Sequence, residues 1–130
     1  MWALTVRQPW AALIVAGVKD VENRSWRAPE RIIGARVYIH ASDRRADDVA
    51  DVPVVAGVDQ RGVIVGSVVV VGCVADAASD WARPDCWHWL LADAAVLDPI
   101  TCRGHHGIWE LPYGPARAIR LQTESGRLGQ

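Results

Sequence analysis

Phenylalanine is absent from this 130-residue chain, and lysine occurs once among fourteen basic residues. Two tyrosines and seven tryptophans make up the aromatic content, so it rests on indoles. An indole carries an N–H that needs a partner, which makes Trp a poor replacement for Phe as plain core filler. One or two of the seven are therefore expected to serve a binding surface. Cysteine is scarce: Cys73, Cys86 and Cys102 give an odd count, which argues against a disulfide framework and leaves reduced thiols as the expectation. No stretch reaches the ~18 uninterrupted apolar residues of a membrane helix. The opening MWALTVRQPW places a charge and a proline too early for a signal peptide. A soluble, cytoplasmic protein without membrane contact is expected. There is no G-x-S-x-G, no phosphate-binding P-loop, and no G-x-G-x-x-G opening a helix after a strand, which removes the usual serine-hydrolase, NTPase and dinucleotide-binding classes. Internal repeats and low-complexity segments are missing too.

What is present is a globular composition, 51% hydrophobic and 22% charged, at the length of one domain. Such a chain buries roughly two-thirds of its unfolded surface, enough for a core without covalent staples. A net charge of −1 argues against nonspecific coating of nucleic acid, but the charge is unevenly spread. Residues 1–45 hold eight basic and four acidic side chains, net +4; residues 46–100 hold two and nine, net −7; residues 101–130 hold four and two, net +2. Positive potential belongs to the two ends of the chain and is focused locally if they meet in space.

Along the chain, MWALTVR suits a short first strand. Pro9 fits the first position of a helix, with Trp10, Leu13, Ile14 and Val18 on one stripe and Gly17 ending it. DVENRSW reads as a strand that puts Glu22, Arg24 and Trp26 on one face. In the strand 35–42, Val37, Ile39 and Ala41 face one way; Arg36, Tyr38, His40 and Ser42 face the other. Residues 43–57 read as a helix or helical turn interrupted at Pro53. The β-branched run 61–76 lacks clean alternation, as in a barrel wall, with bends or bulges at Gly66 and Gly72. Residues 78–86 read as a loop. Trp87 and Trp89 start a further strand, and RGHHGIWEL turns into a last one. The expected fold class is α+β, a small mixed β-barrel with one or more flanking helices. The domain occupies residues 1–113, and a tail at 114–130 is expected to be partly disordered.

The segment VKDVENRSWR holds the densest chemistry. Lys19 is the only lysine, and an ammonium differs from guanidinium in that burial lowers its pKa enough for acid–base work. Glu22 and Arg24 are two apart on a strand, able to pair laterally or to line a groove. As a surface pair they would contribute ~0–1 kcal/mol. Trp26 and Trp109, beside polar or glycine-rich residues, are the best stacking candidates, each worth about 1–3 kcal/mol per base. Arg7 at a helix start suits an anion, and Gln8 suits a base edge. His40 offers hydrogen bonding. His105 and His106 sit in a glycine-flanked loop bordering the same region. Cys86, His88, Cys102 and His105 have zinc-donor chemistry, but their spacing matches no common finger. No metal or cofactor is assigned.

The blocks LTVRQPWA, GVKDVENRSW, VYIHAS, GVIVGSVVVVG and RGHHGIWEL together resemble the ASCH family, the activating-signal-cointegrator homology domains of the PUA-like superfamily. The signature G-x-K-x-x-E-x-R stands here as Gly17, Lys19, Glu22 and Arg24, and the likeness spans residues 2–112. The resemblance implies a PUA-like barrel whose cleft binds RNA or a nucleotide. Lys19, Glu22 and Arg24 would line it, bordered by Arg7, Gln8, His40 and Ser42. It also implies an alternative, since relatives include ribonucleases and hydrolases of acetylated cytidine, in which Lys19 would act as acid or base with Glu22. The latter use a threonine nucleophile three residues after the lysine. Glu22 holds that position here, so binding is expected over cleavage, with Thr5, Ser25 and Ser42 the hydroxyls at hand.

Overall fold

The computed structural model describes residues 1–47, 49 and 51–128. In chain order these form β1 (Trp2–Gln8), α1 (Trp10–Val15), β2 (Val21–Arg24), a 3-10 turn (Glu30–Ile32), β3 (Arg36–Arg45), β4 (Val63–Val74), β5 (Trp87–Thr101), β6 (Ile108–Glu110) and α2 (Tyr113–Leu128). The strands make one mixed sheet in the order β2-β5-β4-β3-β1-β6. Only β1 and β3 run parallel; the other neighbours are antiparallel.

The architecture is thus α+β as expected, but the barrel is corrected to an open sheet with β2 and β6 at its edges. The sheet nonetheless curls. The Arg24 guanidinium on edge strand β2 donates to the Thr5 carbonyl of β1, 2.9 Å away, although β2 pairs by its backbone only with β5. A side chain spans the gap that a closed barrel would bridge with ladder bonds. The curl has a source in β4 and β5, whose pairing shifts register at three places. At Gly66, a Cβ would lie 2.2 Å from the Ala95 carbonyl oxygen and 2.7 Å from Val15, so only a glycine lets the bent strand pack there.

Alternation along β1 divides the core between two faces. Leu4 and Val6 join Ile14, Val37, Ile39, Ala41, Val68 and Trp89 beneath α1. Ala3 joins Ile64, Cys102, Trp109 and Ile119 beneath α2. At about 25 cal/mol per Å² of apolar area, burying these β-branched and aliphatic side chains is the main stabilising term. Trp89 carries the Phe-less core at its centre, fully buried, with its N–H donated to the Trp26 carbonyl.

One further expectation changes. Residues 43–57 contain no helix among those described: β3 continues through Arg45, and a turn covers 56–59. Pro53 and a run of aspartates supply neither donors nor an apolar stripe for one; Asp48 and Ala50 lie outside the described residues. At the C-terminal side, α2 runs to Leu128. It is held because Ala116 and Ile119, three apart, are buried, and because Gln122 pairs with both backbone groups of Asp98 on β5. Residues 129 and 130 lie outside the described residues.

Candidate functional site

The site lies on the sheet face that α2 covers only in part. On β1, Thr5 and Arg7 point to this face; on parallel β3, His40, Ser42 and Arg44 do the same, with Thr5 opposite His40. At Arg7 and Arg44 the face stays exposed, and the curl brings β2 against it. The resulting cleft of about 340 Å³ is lined by Thr5, Arg7, Trp10, Glu22, Asn23, Arg24, Ser42, Arg44 and His106, among others. Three arginines and one carboxylate make it a cationic depression.

At its base, Glu22 is clamped from two sides. Its Oε2 accepts from Arg24 Nη2 at 2.9 Å and Nε at 3.3 Å, and its Oε1 accepts from Lys19 Nζ at 3.4 Å. The Glu22 and Lys19 side chains are 8% and 5% exposed, whereas Arg24 is 23% exposed and reaches the cleft. Lys19 also donates to the Val21 carbonyl. Burial lowers its pKa below the ordinary lysine value, while the Glu22 charge opposes the shift. The ammonium does not line this cleft. It stands behind Glu22, next to Trp10 and Arg83, so its effect on a ligand passes through the carboxylate it holds.

Gln8 is fully buried, and its amide is used up. Oε1 accepts from the Ala12 N–H at the start of α1, and Nε2 donates to the carbonyls of Gly57 and Gln60. It anchors a loop and has no donor left for a base edge. His40 is likewise buried, beneath residues 102–106, where the sequence pattern places it on a polar face. Its Nε2 donates to the Cys102 carbonyl at 2.6 Å, which leaves Nδ1 to accept from the Thr5 hydroxyl at 3.4 Å. Trp109 Nε1 donates to the same hydroxyl, so Trp109 is a buried strut rather than a platform. Trp26 is 36% exposed and packs edge-on against Trp89, beside the cleft wall rather than in it. The indole that does line the cleft is Trp10. It leans edge-on on Trp81, with Lys19 Nζ and Arg83 Cζ each 5.8 Å from its ring centre. The stripe pattern alone assigns it to the core.

Among the described residues, no group of three His, Cys, Asp or Glu side chains converges as a metal site. Cys86 bonds to Asn23 and the Arg83 carbonyl, and His88 to the Arg83 carbonyl and the Ala77 N–H. No helix is long and apolar enough to cross a membrane among the described residues.

Burial also holds the His40 pKa below its ordinary value of 6.5, against a raising effect from its bond to Cys102. The folded chain therefore resists protonation at this ring. The stability this contributes is complete above the unfolded value and is lost as pH falls through the folded one. The protein is expected to lose stability on acidification from about pH 7.5 to about pH 5, and a His40→Gln variant to lose less. Urea titrations of both at each pH decide it; equal losses would reject the role given to His40.

The model of the ASCH domain matches residues 4–100. Activating signal cointegrator 1 of Mus musculus and of Homo sapiens are each 48% identical over 44 residues, 34% of this chain and 7% of theirs. The match thus spans a small part of those proteins. The structure of ASCH from Zymomonas mobilis superposes with a TM-score of 0.61 at 16% identity, covering 92% of this chain and 93% of that one. A point variant of the same protein gives 0.60 at 17%, covering 92% and 94%. At these identities the structures speak for the fold alone. With its family model matched over most of its length and the same fold in both structures, the chain belongs to the ASCH domain family.

Proposed function

We propose that the cleft binds RNA through a nucleotide unit, with Arg7, Arg24 and Arg44 meeting phosphate or carbonyl oxygens and Trp10 stacking on a base. The observation that carries this is the combination of three arginines with a half-buried indole around one clamped carboxylate. Arginines supply bidentate donors for phosphate, and an indole face accepts any base. Glu22, held with both oxygens oriented, offers an acceptor for a base N–H. Ser42 adds a neutral donor at the rim. The curled, barrel-like wrap of β2 toward β1 gives the cleft its depth. Relatives named as an activating signal cointegrator fit a regulatory role.

Hydrolysis by Lys19 as acid or base is less well supported, because its ammonium sits behind Glu22 and away from the cleft space. Binding is tested by titrating a labelled single-stranded oligoribonucleotide with the wild-type protein, Trp10→Ala and Trp26→Ala. Loss of one stacked base costs about 1–3 kcal/mol, or roughly 5- to 150-fold in affinity. The loss is expected for Trp10→Ala, with Trp26→Ala close to wild type. The reverse order would move the platform to Trp26, and no binding at all by the wild-type chain would reject the function.

A further inference from the structure

The cleft does not end at Ser42 and Arg44. A second depression of about 500 Å³ adjoins it, and Thr5, Ser42, Arg44 and His106 line both. The shared residues come from β1, from β3 and from the loop before β6, so they form a ridge along the β1–β3 seam. Beyond the ridge the second depression is lined by Arg103, His105, Asp43 and the edge of Thr101. Trp10, Glu22 and Arg24 belong only to the first.

The loop that makes the second compartment is built for it. At Gly104 a Cβ would lie 2.6 Å from His40 Cε1 and 3.1 Å from Thr5 Oγ1, so the backbone presses directly on the His40–Thr5 pair and no side chain fits. Gly107, with φ +69°, takes a left-handed turn that sends the chain back into β6. Between these glycines His105 and His106 are exposed. The His105 ring rests edge-on against Trp109, 5.1 Å between centres. Arg103 is exposed at the loop's start. The result is one continuous cationic trough: an indole and a carboxylate at one end, arginine and imidazoles at the other, and Arg44 with His106 between.

We infer that the two depressions are adjacent subsites for successive units of one single-stranded RNA. The phosphodiester between the units crosses the ridge at Arg44 and His106. One base stacks at Trp10, and the next unit lies against Arg103 and His105. This rests on the RNA-binding function proposed above and deepens it. A phosphodiester chain brings one negative charge for each step along the trough. A mononucleotide fills only one end, so its affinity omits whatever the second compartment contributes.

Isothermal titration calorimetry on the full chain decides this, with uridine monophosphate, the 5′-phosphorylated dinucleotide of uridine and a four-nucleotide oligouridine as probes. The dinucleotide is expected to bind about tenfold or more tighter than the mononucleotide, the scale of one added stacking or phosphate contact. Arg103→Ala lines only the second depression and is expected to weaken the dinucleotide about fivefold while leaving the mononucleotide unchanged. Equal affinity for mono- and dinucleotide, with no effect of Arg103→Ala on either the dinucleotide or the oligouridine, overturns the two-subsite inference while RNA binding stands. Failure of the oligouridine to bind the wild-type chain overturns both.

Discussion

Glu22→Ala is expected to cost about 3–5 kcal/mol of folding stability, the range found when one partner is removed from a buried ion pair. The carboxylate holds two cations at once, and its side chain is only 8% exposed. Without it, Lys19, with 5% of its side chain exposed, faces Arg24 and Arg83 with no counter-charge. Those two guanidinium groups already lower its pKa, and only Glu22 raises it. Arg24 also loses the partner that aims its second nitrogen at the Thr5 carbonyl, so the curl of β2 onto β1 weakens with it. Glu22→Gln keeps an acceptor and should lie between the wild type and alanine. Lys19→Met should cost less than Glu22→Ala, because Glu22 retains Arg24. Adding Lys19→Met to Glu22→Ala should recover part of the loss by removing the orphaned charge. Chemical denaturation of the four variants checks the order. A Glu22→Ala cost below about 1 kcal/mol, typical of an exposed pair, would remove the buried clamp from the description.

The second large effect is on binding. Oligoribonucleotide affinity is expected to fall about 20-fold between about 50 and 200 mM salt, a logarithmic slope near −2 if three phosphate contacts release their counterions. The three contacts are Arg7, Arg24 and Arg44. Arg7 and Arg44 are exposed strand residues, and among the described residues Arg7 pairs only with Asp47, 3.9 Å away with a 90% exposed side chain. Neither arginine supports the fold, so the Arg7→Ala, Arg44→Ala double variant should fold as the wild type does. Its slope should fall to about −0.7, with a loss of affinity largest at low salt. Fluorescence anisotropy across a salt series measures both. A slope near zero for the wild type would mean that the cationic cleft meets no phosphate.

Much of this site is written locally. Glu22 and Arg24 share a face because a strand repeats every two residues, and Lys19 stands out in an arginine-rich chain by count alone. The loop RGHHG announces exposed imidazoles between two glycines, and His106 does line the cleft. Gln8 and His40 show where local patterns stop. Gln8 sits at a helix start, yet its amide is taken by the carbonyls of Gly57 and Gln60, some fifty residues away. His40 alternates onto a polar face, yet residues 102–106 cover it, since Gly104 lets their backbone close down on the ring. Trp10 lies on the apolar stripe of α1, but α1 is only six residues long and ends the stripe at the cleft mouth. No period reports which neighbours a side chain meets across the chain.

By itself, the sequence determined the mixed α+β class, the strand faces, the clamp residues Lys19, Glu22 and Arg24, and the family signature that joins them. The faces and the clamp residues follow from short-range periodicity and composition, which the backbone imposes wherever the strand lies; the signature rests on the resemblance to the family. Only the tertiary structure decided that the sheet stays open, that β1 and β3 pair in parallel, and that Thr5, Arg7, Ser42 and Arg44 thereby share one trough. Register between distant strands depends on the summed packing of two core faces, on Gly66 at the bend and on Arg24 across the gap, which no segment encodes alone.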